Sequence, residues 1–182
     1  MTNPDEKSCD VIFLDTETTG LDPEADEILQ ISVMNNSGEI LLNSYIRPEH
    51  KTEWTAAEAI NHISPQMVKN APLMSDIAPL ISKIMSGAKV AVAYNIDFDW
   101  HFISKALEES GFDFENDTHE LRCCMKKFSE IYGEWDSERL RYRWQKLSTA
   151  ASYYNIPWRG QAHGSLADTF MCRDVWNKMN DD

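Results

Sequence analysis

Val11-Ile12-Phe13-Leu14-Asp15-Thr16-Glu17-Thr18-Thr19-Gly20 is the stretch that decides how the rest of the chain is read. Residues 11–14 carry no polar break, which predicts a central strand covered on both faces rather than an amphipathic surface strand. If the extended backbone continues, its period of two puts Asp15 and Glu17 on the same side. Like charges held that close repel, and a cation between them removes the conflict. The ligand set is all oxygen, which favours magnesium or manganese over zinc. The alternative is an accidental acidic pair on an exposed turn, in a chain with 30 acidic residues.

With 182 residues, 42% of them hydrophobic, the chain predicts one domain over 8–180 behind a short polar tail at 1–7. Its apolar runs are only a few residues long and its first ten residues are polar, so the expectation is a soluble, cytoplasmic protein with no membrane partner. Cys9, Cys123, Cys124 and Cys172 form no paired ligand spacing and read as reduced and structural.

The formal charge is −13, which taken alone argues against nucleic acid as a partner. The charge is uneven, however. Residues 1–121 balance to −15, 122–146 to +3 and 147–182 to −1. One positive segment stands in an otherwise acidic chain, and divalent ions at a carboxylate centre would neutralise more of it.

Along the chain, 28–34 and 40–46 flank the turn signal Asn35-Asn36-Ser37-Gly38 and predict a hairpin over 27–47. Helical composition follows at 54–60, then an amphipathic helix over 74–85 with Ile77, Leu80, Ile81 and Ile84 on one stripe. Residues 89–94 predict another buried strand and 97–107 a helix. At its start Asp97 and Asp99 are both candidates for a site carboxylate, and periodicity leaves the choice open. An acidic loop over 111–120 precedes a short fifth strand at 121–124 and a helix at 125–132.

Arg139-Leu140-Arg141-Tyr142-Arg143-Trp144-Gln145-Lys146 interleaves cations with rings. That mixture suits a single nucleic-acid strand, the other reading being an Arg/Glu-rich solvated segment. Helices are expected at 146–155 and from 165 to about 179. Ser165-x-x-Asp168 also fits a capping box, a purely structural account of Asp168. It leaves His163 unexplained: a five-residue offset separates side chains by about 140° on a helix, so His163 belongs on the loop before it.

Taken together, Asp15-Thr16-Glu17-Thr18-Thr19-Gly20-Leu21 resembles the first motif of the DEDDh 3′–5′ exonucleases, the DnaQ-like family of proofreading subunits, exonuclease X and ribonuclease T. Its second motif, His-Asn-x-x-Phe-Asp-x-x-Phe, maps onto residues 94–102 and selects Asp99, with Tyr94 in place of the histidine. The third, His-x-x-x-x-Asp, is met by His163 and Asp168. Ile60-Asn61-His62-Ile63-Ser64 resembles a segment where the family often carries His and Gly at the positions of Asn61 and His62.

The resemblance implies a ribonuclease H-like α/β fold, a mixed five-stranded sheet flanked by helices, and a metal-dependent 3′ to 5′ exonuclease releasing nucleoside 5′-monophosphates. Asp15, Glu17, Asp99 and Asp168 are then the ligands of two Mg²⁺ or Mn²⁺ ions, and His163 joins these four as the catalytic base. Thr18, Thr19, Gly20, Leu21, Ile63, Asn95 and Phe98 are the implied substrate contacts, and Arg141 and Arg143 are added from the basic segment. Single-stranded DNA is the favoured substrate, RNA a possible one; a homodimer or a polymerase or helicase partner fits relatives of this kind. The alternatives are an RNA-trimming exoribonuclease and a catalytically idle nucleic-acid or polymerase-binding module.

Overall fold

The computed structural model describes residues 10–112, 120–158 and 164–180; the tail at 1–7, Cys9 and His163 lie outside the described residues. In chain order the elements are β1 (Val11–Thr18), β2 (Ile28–Asn35), β3 (Ile40–Tyr45), α1 (Thr55–Asn61), α2 (Pro65–Val68), α3 (Met74–Gly87), β4 (Val90–Ala93) and α4 (Ile96–Glu109). There follow β5 (Glu120–Cys123), α5 (Cys124–Tyr132), β6 (Trp135–Asp136), β7 (Arg141–Tyr142), α6 (Leu147–Tyr153) and α7 (Ser165–Lys178).

Among the described residues β1 to β5 form one sheet in the order β3-β2-β1-β4-β5. The β1–β2 and β2–β3 pairs are antiparallel, while β4 runs parallel to both β1 and β5. The sheet is thus mixed, with β1 at its centre and helices on both faces, the ribonuclease H-like fold.

The apolar run of β1 explains its central place. Ile12 and Leu14 pack with Ile81 and Met85 of α3 and with Phe102, Ile103 and Leu107 of α4. Phe13 turns the other way, onto Phe128, Ala150, Ala151, Met171, Cys172 and Val175 of α5, α6 and α7. Full burial of a side chain such as Phe13 or Leu14 contributes about 1.5–3 kcal/mol, so the register of β1 is strongly fixed on both sides. All eight residues of β2 are buried too, including Gln30, Ser32 and Asn35.

At Glu17/Thr18 the β1–β2 register shifts. Such an irregularity turns a strand out of its ladder and re-aims the side chains beyond it. Pairing with β4 ends at Phe13 and the break with β2 comes just past Glu17, so both carboxylates sit at the end of β1 that only β2 still holds.

The predicted strands and longer helices are all present. The β6–β7 hairpin was not anticipated: each strand has two residues, too few to show alternation, and Trp135 and Leu140 are exposed. Among the described residues no helix is long and apolar enough to cross a membrane.

Candidate active site

The alternation of β1 places Asp15 and Glu17 on the face of Phe13, where α7 lies, and across from them on β2 stand Ser32 and Gln30. Asp168 comes from the first turn of α7. One ligand oxygen from each of Asp15, Glu17 and Asp168 lies within 4.8 Å of the other two. Three oxygen donors that close fit a hard divalent cation.

Asp99 approaches from the other side. It sits in the first turn of α4 and is only 3% exposed. Thr16, between the two β1 carboxylates, points opposite to them, and its backbone N–H and hydroxyl both donate to Asp99 Oδ1, at 2.9 and 2.8 Å. The choice between Asp97 and Asp99 is resolved by position. Asp97 is exposed and pairs with Lys126 at 2.5 Å, away from the cluster.

Burial dominates the electrostatics. It lifts the Asp15 carboxyl well above the ordinary range, and the charges of Asp99, Asp168 and Glu17 add to the lift. Glu17 is pushed up to about 8 by burial and by Asp168 and Asp99, with a hydrogen bond from Asn61 opposing. Burial raises Asp99 to about 7 despite the bonds from Thr16. Four acids are thus held where their charges conflict, and a bound cation would relieve the conflict.

The first turn of α7 is anchored from the sheet. Gly164, not Ser165, is the N-cap residue, and it makes no side-chain cap bond. The Ser165 hydroxyl lies 2.6 Å from that of Ser32, and its N–H donates to Gln30 Oε1 at 3.4 Å. Both β2 side chains also donate to Asn43 Oδ1, at 3.1 Å from Ser32 and 3.3 Å from Gln30. The capping-box account of Asp168 is therefore not what the fold builds, because Ser165 already lies inside the helix and faces the sheet.

The turn after β1 is tightly held. Thr18 donates to the Gly20 carbonyl at 2.5 Å, and Thr19 to Asp26 Oδ1 at 3.1 Å. Gly20 passes over that same carboxylate, and a Cβ there would lie 2.2 Å from Asp26 Oδ2. Leu21 projects outward, 84% exposed.

Asn61 is buried; it donates to the Thr18 carbonyl at 3.2 Å and accepts from the Ile63 N–H at 3.0 Å. His62 has φ of 59°, the left-handed conformation that costs glycine least. That accounts for a glycine at this position in the resembling segment. The Ile63 side chain packs with Leu29, Trp54 and Val68, and its carbonyl accepts from the Trp54 indole at 2.6 Å. Its side chain is thus committed to packing.

Asn95 is half-buried at the N-cap of α4, and Phe98 packs on Phe102 in a tilted contact, with centroids 5.0 Å apart. Tyr94, in the place of the expected histidine, donates its hydroxyl to the Gln145 carbonyl at 2.7 Å. Burial raises this phenol, so it stays a donor. Arg141 lies 3.7 Å over the Trp144 ring, whereas Arg143 pairs with Glu134 at 2.8 Å across the hairpin.

Thr16, Gln30, Ser32 and Asn61 were missed as site supports. Gln30 and Ser32 left a trace, since polar side chains inside a strand of buried residues need partners.

The Exonuclease family model (RNase_T) matches residues 12–175. The uncharacterized exonuclease CP81 of Escherichia phage 186 is 34% identical over 167 residues, covering 89% of this chain and 84% of the phage protein. The 3′-5′ exonuclease DinG of Staphylococcus haemolyticus is 36% identical over 105 residues, 56% of this chain but 11% of DinG. A PolC-type DNA polymerase III of Thermotoga maritima is 30% identical over 108 residues, 57% of this chain and 8% of the polymerase.

Among solved structures, E. coli exonuclease I in complex with a dT13 oligonucleotide superposes with a TM-score of 0.78 at 16% identity, over 93% of this chain and 40% of that one. Exonuclease X in complex with 5′ overhanging duplex DNA gives 0.69 at 20% identity, over 94% and 91%. These likenesses concern the fold. The family match over residues 12–175 and the phage relative concern descent, and by them the chain belongs to the RNase_T exonuclease family.

Proposed function

We propose that this chain is a metal-dependent 3′ to 5′ exonuclease that trims single-stranded DNA to nucleoside 5′-monophosphates, its domain spanning residues 8–180. The observation that carries the reading is the convergence of Asp15, Glu17 and Asp168 oxygens within 4.8 Å of one another, in a chain of an exonuclease family. The DNA in the exonuclease I and exonuclease X complexes supports the choice of substrate.

Asp15, Glu17 and Asp168, with Asp99 beside them, would hold two Mg²⁺ or Mn²⁺ ions. When bound, such ions supply Lewis-acid stabilisation of the charge developing at the scissile phosphate and lower the pKa of water. Thr16 fixes the Asp99 carboxyl. Asn61 fixes the end of β1, and so the turn 18–21, whose backbone and exposed Leu21 hold the terminal nucleotide. His163 takes the proton from the attacking water. Neutral imidazole has an unperturbed pKa of about 6.5 and serves as a base near pH 7. The free thiols of Cys123, Cys124 and Cys172 suit a reducing, cytoplasmic setting.

The test uses matched single-stranded DNA and RNA oligonucleotides labelled at the 5′ end, with Mg²⁺, Mn²⁺ or EDTA. A ladder shortening from the 3′ end, present with metal and absent with EDTA, is expected, faster on DNA. No cleavage under any metal would overturn the reading, and faster RNA trimming would move it to an exoribonuclease.

A further inference from the structure

A groove opens beside the carboxylate cluster and shares Asp168 with it; its other walls include Tyr94, Trp144, Lys146 and Trp158. None of the residues in the turn 18–21 lines it. Trp158 is half-buried and packs against the core of Phe13, Phe128 and Met171, on the face of the sheet that carries Asp15 and Glu17. Trp144, 46% exposed, stands over the groove with the Arg141 guanidinium 3.7 Å from its ring centroid. The bond from Tyr94 to the Gln145 carbonyl ties the backbone carrying Trp144 and Lys146 to the end of β4.

Two indoles and two nearby cations, continuous with a phosphodiester site, have the chemistry of a stacking platform. Ring faces accept any base, and Arg141 and Lys146 oppose the charge of the adjoining phosphates. We infer that this groove binds the nucleobase on the 5′ side of the scissile phosphate, the penultimate base of the strand, between Trp144 and Trp158. The inference rests on the reading of Asp15, Glu17 and Asp168 as the exonuclease centre. It follows from the division of space: the terminal nucleotide is assigned to the turn 18–21, and the groove leads away from the same carboxylates at Asp168. Stacking on the two indoles does not select base identity, because every base has a ring face.

The test compares the wild type with Trp144→Ala, Trp158→Ala and Trp144→Phe. One substrate is thymidine 5′-p-nitrophenyl phosphate, which has no upstream base; the others are dT oligonucleotides, intact or abasic at the penultimate position. The alanine variants should hydrolyse the aryl ester like wild type and lose roughly 5- to 100-fold in kcat/KM on the intact oligonucleotide. The abasic substitution should cost the wild type a similar factor and the alanine variants little more. Trp144→Phe should recover most of the loss.

Equal losses on ester and oligonucleotide would overturn the inference in favour of a structural role, and unchanged oligonucleotide cleavage would overturn it outright. If wild type cleaves neither substrate, the exonuclease reading fails by itself. Fluorescence anisotropy of the labelled dT oligonucleotide then decides the groove: weaker binding by the alanine variants supports it, and unchanged binding sinks it.

Discussion

Thr16 donates twice to the same oxygen of Asp99, from its backbone N–H at 2.9 Å and from its hydroxyl at 2.8 Å. One residue of β1 thereby holds a carboxylate that arrives 83 residues later on another element. Asp15 and Glu17 leave β1 on one face, and Thr16 reaches α4 from the other. Both α4 and α7 present their acid in the first turn, where the positive end of the helix dipole favours negative charge. The site is a sheet centre clamped between two helix N-termini.

Replacing Thr16 by Val removes the hydroxyl bond and keeps the backbone one. Asp99 loses an interaction that favours its charged form, and its orientation loosens. Outer-shell changes of this kind typically cost about 10–100-fold in metal affinity or activity. A Mg²⁺ titration of the cleavage rate should show the curve displaced to higher concentration, with Thr16→Ser near wild type. Superimposable curves for Val and wild type would remove Thr16 from the positioning role.

Asp15→Asn and Asp168→Asn keep shape and remove charge at the cluster. A Lewis acid contributes several kcal/mol to such a reaction, so each variant should lose about a thousand-fold or more in kcat. Mn²⁺ binding by calorimetry should weaken in parallel while circular dichroism stays unchanged. Near-normal turnover in either variant would rule out the metal assignment.

The raised carboxyls give a pH signature in the metal-free protein. Glu17 moves from an ordinary 4.5 to about 8 and Asp99 from 3.8 to about 7, burial being the main cause in each. A folded state that holds protons more tightly than the unfolded one is most stable below the unfolded values and loses that stability as pH rises through the folded ones. In EDTA the melting temperature should therefore fall between pH 5 and 8. Asp26 does not mask the trend: hydrogen bonds outweigh burial and hold it below its ordinary 3.8, so its contribution is complete above about pH 4. Mg²⁺ or Mn²⁺ at pH 8 should restore the melting point, and Glu17→Gln in EDTA at pH 8 should melt higher than wild type. A flat profile with no response to metal would contradict the cluster's electrostatics.

Much of this site was legible in the chain because its chemistry is local. An unbroken apolar run that ends in Asp15-x-Glu17 specifies both a central strand and a shared face. Asp97 and Asp99 could not be separated by periodicity, since either acid suits the first turn of a helix. Only the fold shows that one meets Thr16 and the other Lys126. Ser165 read naturally as a cap because Asp168 follows it at the right interval, yet its hydroxyl meets Ser32, 133 residues earlier. His62 looked like a departure, and its positive φ shows what the position demands. Contacts across long separations, and hairpins too short to alternate, were the parts out of reach.

The β2 side chains that hold α7 give a further prediction. Gln30→Leu removes the acceptor for the Ser165 N–H, and Ser32→Ala removes the hydroxyl 2.6 Å from that of Ser165. A buried polar group left unpaired costs about 1–3 kcal/mol, so both variants should melt lower, by several degrees. Because Asp168 rides on the same turn, apparent Mg²⁺ affinity should fall as well, with Ser32→Thr milder than Ser32→Ala. Lower stability with unchanged Mg²⁺ dependence would show that the network holds the fold without setting Asp168.

Arg141 and Arg143 were paired in the sequence as phosphate contacts, and the structure separates them. Arg143 is engaged with Glu134 through an ion pair at 2.8 Å and a backbone bond at 2.7 Å. Arg141 lies on Trp144. Each phosphate contact contributes about 0.7 to the slope of log affinity against log salt for a single strand. Arg141→Ala should therefore flatten that slope by about 0.7 in oligonucleotide binding, whereas Arg143→Ala should leave the slope unchanged and lower the melting point slightly. An equal reduction in both variants would mean that Arg143 leaves Glu134 to meet the strand, and no change in either would make the hairpin a solvated surface.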